Sequence, residues 1–244
     1  MSAGPPDLSV IIVTYNTRDL TRACVRAVMA DAEPSGQAVE VIVVDNASQD
    51  DTLTCLAAEF PAARLIANPA NLGFARANNR GLEAAGGRYL FLLNSDTELR
   101  PGALGALVAF MDDHPEAGAC GPQLLNPDGS LQPSGRPLPS VASVALEMTR
   151  LYRLWKRDLY RQPGRDYGQP ARVGEISGAA LLVRRAVLEQ VGGLDPAFFA
   201  YYEDTDWCQR MGAYGFAGNY VPAAQVVHHW QGTSRAAAAL ARRA

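Results

Sequence analysis

At 244 residues and 48% apolar content, the chain is long enough to bury the core of one α/β domain, and its formal net charge of −3 argues against a nucleic-acid partner, since a polyanion calls for a strongly basic face. The four cysteines, Cys24, Cys55, Cys120 and Cys208, sit in apolar patterns without CxxC spacing, so they read as reduced core thiols of a cytoplasmic protein and not as a zinc site or disulfide framework. With no basic leader and no run of about 18 apolar residues, neither a signal peptide nor a membrane span is expected.

In chain order, Leu8 to Val13 is an apolar, β-branched run, and Thr17 then caps a helix whose Leu20, Cys24, Ala27 and Val28 share one face. Val39 to Val44 is a second strand ending in Asp45-Asn46, and Ser48-Gln49-Asp50-Asp51 resembles a capping box opening a helix to Glu59. Ala63 to Ala67 is a third strand, Phe74 to Ala85 a third helix and Tyr89 to Leu93 a fourth strand. Strands this apolar, alternating with helices, predict a mostly parallel, Rossmann-like central sheet covered on both faces. Pro101 starts a helix ending near His114, which serves as a partner for the helix C-terminus, and Ala117 to Leu125 is a strand closed by the turn Asn126-Pro127-Asp128-Gly129.

Two acidic clusters carry the chemistry. Asn94-Ser95-Asp96 breaks abruptly from a buried-strand run, where an unpartnered carboxylate would be costly; in an open α/β sheet a ligand sits just beyond such strand ends, and Asp96 there can meet a cation holding phosphate oxygens. A turn with a helix cap at Asp96 or Thr97 is the plainer account. The second cluster, Glu203-Asp204-Thr205-Asp206, opens a helical pattern and offers a carboxylate as general base; Glu203 and Asp206 also favour the helix dipole, and Asp206 can pair with Arg210 one turn on. Dinucleotide and P-loop glycine motifs are both absent. Instead, Thr14-Tyr15-Asn16 and Asp45-Asn46 close the first two strands, where Tyr15 can pack on a base and Asp45 can accept from a pyrimidine N3–H, while the segment from Asn71 through Gly73, Arg76 and Asn78 to Gly81 gives a tight turn, a helix start and basic side chains.

Taken together, Ser9 to Asn16, Val43 to Ser48, Asn71 to Gly81, Leu92 to Asp96, Ser177-Gly178-Ala179, Gly193-Leu194-Asp195 and Phe198 to Arg210 resemble the inverting nucleotide-sugar glycosyltransferases of family 2, and within them the bacterial rhamnosyltransferase-like branch. The resemblance implies a GT-A fold in one domain spanning residues 1–244, with a nucleotide-binding half over 8–98 and an acceptor and metal half over 99–234. It also implies Asp45 at the nucleobase, Asp96 as the metal-binding aspartate of the DxD motif, Asp204 as the base, and Ser177, Gly178, Ala179 and Glu203 near the acceptor. Asn94 replaces the first aspartate of DxD, which shifts metal affinity towards the donor's own diphosphate. A histidine near the Gly-x-Ser of such proteins supplies a metal ligand; of His228 and His229 only one can face the ion, and His229 is the expected one, beside Mn²⁺ or Mg²⁺. The implied donor is a nucleotide-diphosphate sugar, dTDP-L-rhamnose first, and the acceptor a glycan or polyprenyl-linked glycan.

Residues 133–174 interrupt the alternation with prolines, and within 141–165 a basic amphipathic helix is expected that can lie on the inner face of the plasma membrane or simply pack over the core. An alanine-rich tail covers 235–244. A noncatalytic sugar- or nucleotide-binding relative, or a sugar nucleotidyltransferase, would share the sheet; the first would lose acids that are all present here, and the second needs a glycine-rich basic loop that is missing.

Overall fold

The computed structural model describes residues 4–143, 149 and 165–230. The first half runs β1 (Leu8–Thr14), α1 (Arg18–Ser35), β2 (Val39–Asp45), α2 (Thr52–Glu59), β3 (Arg64–Ala67), α3 (Phe74–Ala84) and β4 (Tyr89–Asn94). The second half adds β5 (Thr97–Leu99), α4 (Ala103–Asp113), β6 (Ala117–Leu125), β7 (Leu131–Gln132), β8 (Ala171–Val173), β9 (Ala180–Arg184), α5 (Arg185–Val191), α6 (Glu203–Ala213) and β10 (Ala217–His228). Most of the expected helix 141–165 lies outside the described residues.

One sheet carries everything, in the order β3-β2-β1-β4-β9-β6-β10-β5, with β7 beside β6 and β8 beside β10. Its first four strands are parallel, as their continuous apolar runs require. The other half is mixed: β9 lies antiparallel to both β4 and β6, and β5 antiparallel to β10. Side-chain alternation splits the core between the two faces. Leu8, Val10 and Ile12 of β1 pack with Cys24, Val25 and Val28 of α1 and Leu104, Leu107 and Val108 of α4, whereas Ile11 faces Leu82 of α3, Val187 of α5 and Trp207 and Met211 of α6. Burial raises the Cys24 and Cys208 thiols to about 12 and the Cys120 thiol further, and all four cysteines are free, so the buried three are inert packing groups.

The helix starts depart from the expected caps. The Thr17 hydroxyl bonds Thr14, Thr21 and Ser95, leaving Asp50 Oδ2 to accept from Arg18 N, 3.2 Å away, at the start of α1. Ser48 does not cap α2, which begins later at Thr52, with Asp50 Oδ1 accepting from Thr52 N at 3.2 Å. Likewise α4 starts at Ala103 and not Pro101, because Gly102 is left-handed (φ 84°) and buried Asp31 of α1 accepts from the Gly102 and Leu104 amides at 2.5 and 2.8 Å. His114 closes α4 by stacking on Phe110, with Nδ1 2.8 Å from the Phe110 carbonyl oxygen.

Candidate active site

Strand register places the candidate residues at one edge of the sheet. Thr14 lies opposite Asp45, and Val13 opposite Asn94, so the carboxyl ends of β1, β2 and β4 finish side by side. That is where an open α/β sheet opens a crevice. The chain bends sharply there: Asn16 (φ 53°) and Ala47 (φ 66°) take left-handed backbones, and the Asn16 amide and side chain bond Ser48 Oγ and Gln49 N at 2.9 and 2.7 Å, lacing the two strand ends together. Asp45 is buried; its Oδ2 accepts from Ser48 N at 3.0 Å, and its Oδ1 has no hydrogen-bond partner among the described residues. A buried carboxylate oxygen left over at a strand end is where a ligand N–H would bind. Half-buried Tyr15 follows Thr14, the residue that lies opposite Asp45.

Asn46, which the sequence places at the end of the second strand without a role of its own, organises the neighbouring turn. Its amide donates to Asn71 Oδ1 (2.7 Å) and Gly73 O (3.3 Å) and accepts from Asn68 Nδ2 and Leu72 N (both 3.0 Å), so the 68–73 turn is folded around one saturated side chain. Gly73 is left-handed (φ 83°), and a Cβ there would stand 2.6 Å from Phe199 O, the carbonyl that accepts from Phe74 N at the start of α3. Three further bonds fasten the loop before α6 to α3: Arg76 Nε to Pro196 O at 3.0 Å, Asn79 Nδ2 to Leu194 O at 2.7 Å, and Leu194 N to Asn79 Oδ1 at 2.9 Å. Asn78, expected at the ligand, is buried and donates to Phe74 O within its own helix. The Thr14 and Ser95 hydroxyls are likewise engaged within the fold, in the buried Thr14-Thr17-Thr21-Ser95 cluster that ties β1 and α1 to the Asn94–Asp96 turn.

The two acidic clusters are brought together by Ser177 to Ala179. Asn94 N donates to Ala179 O (3.0 Å) on one side, and Gly178 N donates to Asp204 Oδ2 (2.7 Å) on the other. Ser177 Oγ accepts from Ala179 N at 3.3 Å and so holds the turn. Any side chain at 178 would press on Asp204, as a Cβ would lie 3.3 Å from its Oδ2. Asp204 Oδ1 accepts from Thr205 N at 2.8 Å, so both carboxylate oxygens are oriented by backbone N–H groups. Tyr201 and Tyr202, just before α6, are both exposed and left-handed (φ 70° and 68°), a strained arrangement of the kind that collects at functional sites. Asp206 turns away to Arg210 at 2.8 Å, and Arg210 also donates to Val191 O and Gly193 O, so this pair braces the helix.

Glu203 is 5% exposed with Oε2 lacking a partner among the described residues; burial first, and then the charge of Asp204, raise its carboxyl to about 7. A carboxyl whose folded pKa is raised stabilises the fold below its unfolded pKa and loses that contribution as pH rises through the folded one. Between about pH 5 and pH 8 the wild type should therefore lose on the order of 2 kcal/mol relative to Glu203→Gln, which denaturant melts across that range would read.

Beside Asp96 the geometry brings the ring of His228, and not that of the expected His229. β10 runs antiparallel to β5 with His228 opposite Thr97, which turns the buried His228 ring to Asp96, Nε2 to Oδ1 3.4 Å. His229 donates its backbone N–H to Asp96 O at 2.9 Å, and its ring bonds Glu98 at 2.7 Å instead. Among the described residues no three His, Cys, Asp or Glu side chains form a ready-made cation cage. The donor set still fits a divalent ion: neighbouring ligands about 2.1 Å from an octahedral cation lie about 3 Å apart, close to the Asp96–His228 spacing. Asn94 Oδ1, on the same turn, is buried without a hydrogen-bond partner among the described residues.

The sequence profile of Glycosyl transferase family 2 matches residues 9–192. The chain belongs to that family. It is 36% identical over 238 residues to the N-acetylglucosaminyl-diphospho-decaprenol L-rhamnosyltransferase of Mycobacterium tuberculosis, covering 91% of this chain and 76% of that protein. It is also 25% identical to the dTDP-rhamnosyl transferase RfbF of Shigella flexneri, over 91% of this chain and 69% of that one. Among solved structures the fold matches GalNAc-T7 with UDP, GalNAc and Mn²⁺ (TM-score 0.69, 18% identity), covering 93% of this chain and 44% of that one. It matches a Pyrobaculum calidifontis mannosyltransferase with GDP-Man and Mn²⁺ (TM-score 0.64, 20% identity) over 93% of this chain and 59% of that one. The α/β architecture of this glycosyltransferase is thus the GT-A fold the motifs implied, although the chain spans only about half the length of those solved chains.

Proposed function

We propose that this family 2 glycosyltransferase is an inverting, metal-assisted hexosyltransferase that moves a sugar, L-rhamnose from dTDP-L-rhamnose first among donors, to a hydroxyl of a polyprenyl-linked glycan in cell-surface polysaccharide synthesis. The observation that carries the reading is the bridge at Ser177–Ala179, with Asn94 N to Ala179 O at 3.0 Å and Gly178 N to Asp204 Oδ2 at 2.7 Å, which sets a diphosphate-side acid cluster against a base on the acceptor side. Support for donor and acceptor comes from the mycobacterial relative, whose name specifies an L-rhamnosyl group and a diphospho-decaprenol acceptor. A polyprenyl acceptor is membrane-borne, and the reading includes peripheral contact at the inner face of the membrane; no helix among the described residues is long and apolar enough to cross one.

In this reading Asp45 and Tyr15 receive the base, with the spare Asp45 Oδ1 accepting a pyrimidine N3–H. Asp96 and His228 would hold Mn²⁺ or Mg²⁺, which when bound would supply Lewis-acid stabilisation of the charge that grows on the diphosphate as the sugar leaves. Asp204 takes the proton of the acceptor hydroxyl while the new carbon–oxygen bond forms and the bond to the diphosphate breaks, inverting the anomeric centre. Asp204 suits this better than Glu203, because Asp204 is the carboxylate held at the Ser177–Ala179 bridge, with both oxygens oriented by backbone N–H groups, whereas Glu203 is buried. Glu203 is left to meet polar groups of the acceptor.

A thermal-shift panel tests the donor. With dTDP-L-rhamnose and Mn²⁺ at 100 times the Kd, the fold should gain about 2.7 kcal/mol, and omission of the metal should remove most of it. A larger shift with a UDP- or GDP-sugar, or transfer activity with one of those only, would reassign the donor.

A further inference from the structure

Behind His228 runs a chain of side chains that neither the motifs nor the relatives single out. His228 Nδ1 is 2.7 Å from Gln132 Oε1 on β7, and Gln132 is buried. Gln132 Nε2 donates to Asn126 Oδ1 (3.1 Å), Asn126 Nδ2 to Ser130 Oγ (2.9 Å), and the Ser130 hydroxyl to Asp128 Oδ1 (2.6 Å). The Ser130 backbone N–H also donates to Asp128 Oδ1 at 2.9 Å.

Amides and hydroxyls can each point either way, so a chain of them has no direction of its own. Asp128 supplies one. Its carboxylate, held below the usual carboxylate range by the Ser130 hydroxyl and then the Ser130 amide, can only accept. The Ser130 hydroxyl must therefore donate to it, which leaves the Ser130 oxygen to accept from Asn126 Nδ2. Asn126 then presents its carbonyl to Gln132 Nε2, Gln132 presents its carbonyl to His228, and His228 must carry its proton on Nδ1. In the neutral ring it is then the Nε2 lone pair that faces Asp96 Oδ1 across 3.4 Å.

We propose that the Asn126–Asp128–Ser130–Gln132 chain is a positioning device that fixes the tautomer and ring orientation of His228, so that Nε2 is presented ready to ligate a divalent cation beside Asp96. The inference rests on the reading of His228 as the ligand. It assigns the 126–130 turn and the short strand β7 a task otherwise invisible, since a two-residue strand and a surface turn would serve packing equally well with apolar side chains. Outer partners of ligating histidines do such work generally, and their loss costs about 10- to 100-fold in metal affinity.

The test has two arms. In metal-free protein, at a pH high enough that the His228 ring is neutral, its nitrogen-15 shifts should report the Nδ1–H tautomer; Gln132→Met should give a tautomer mixture, and Gln132→Glu, which keeps an acceptor in place, should retain Nδ1–H. In calorimetry with Mn²⁺ and dTDP, Gln132→Met should weaken Mn²⁺ about 10- to 100-fold and Ser130→Ala, on the exposed turn where folding is not at risk, should weaken it several-fold. A neutral wild-type His228 found as the Nε2–H tautomer, or a Gln132→Met protein with the wild-type tautomer, would overturn the proposal. His228→Ala separates the two readings: unchanged Mn²⁺ affinity in that variant removes the ligand assignment, while the ring shifts still decide whether the chain sets the tautomer.

Discussion

Asp204→Asn should lower turnover by about 10² to 10⁴ while leaving donor Kd nearly unchanged, because the amide keeps the shape of the side chain and cannot take a proton. The local fold should survive the change. Asp204 Oδ2 accepts from Gly178 N and Oδ1 from Thr205 N, and an asparagine carbonyl can keep one of these bonds but not both, so a small stability loss accompanies a large kinetic one. The split between kcat and donor binding is therefore the decisive reading. Asp206→Asn should do the opposite, since its carboxylate is spent on Arg210 and the loop carbonyls of Val191 and Gly193 that Arg210 gathers. Product stereochemistry supplies a second check: a single displacement with Asp204 as base gives an inverted anomeric centre. Retention of configuration, or near-normal turnover in Asp204→Asn beside a dead Glu203→Gln, would move the base elsewhere.

How far such assignments are legible in a sequence depends on how local their causes are. Strands β1, β2, β4 and β6 were readable because a strand buried on both faces needs an unbroken apolar run, and β6 came out with its bounds Ala117–Leu125 unchanged. β9 and α5 were not resolved, because β9 is only five residues long and passes straight into α5 without a turn signal, and its place between β4 and β6 is fixed by partners about 60 to 90 residues away. The same limit applies within the site. Nothing local distinguishes a strand-end hydroxyl that meets a ligand from one consumed by neighbours, so Thr14 and Ser95 looked like ligand contacts although Thr17 and Thr21 absorb them. Asn46 and Asn79 were given no role of their own for the converse reason: their partners, Asn71 and Leu194, lie 25 and 115 residues on, and only the fold brings them together. Period-two alternation says that only one of two adjacent histidines can face Asp96, but which one does depends on the pairing of His228 with Thr97 on β5.

That pairing sets the second large expectation. Asp96→Ala should abolish the Mn²⁺-dependent part of donor binding, measured by calorimetry, and His228→Ala should reduce it in the same direction by less, since an imidazole brings a donor atom but no neutralising charge. His229→Ala should leave Mn²⁺ dependence as it was, because its ring is committed to Glu98 and only its backbone touches Asp96. Asp96 is fully buried and its peptide oxygen accepts from His229 N, so the alanine variant must first be shown to fold; Asp96→Asn, which keeps the volume and loses the charge, guards against a loss of binding that is only a loss of structure. The Asn94 substitution sharpens the contrast. With an amide in place of the first carboxylate of the motif, Asp96 supplies the one formal negative charge of that turn, so the cation depends on the donor's diphosphate for the rest of its neutralisation, and metal and donor should bind with strong mutual dependence. Restoring the charge with Asn94→Asp should therefore raise Mn²⁺ affinity in the absence of donor and weaken that mutual dependence. A protein in which Asp96→Ala and Asp96→Asn both bound donor with unchanged Mn²⁺ dependence would place the cation away from this turn altogether.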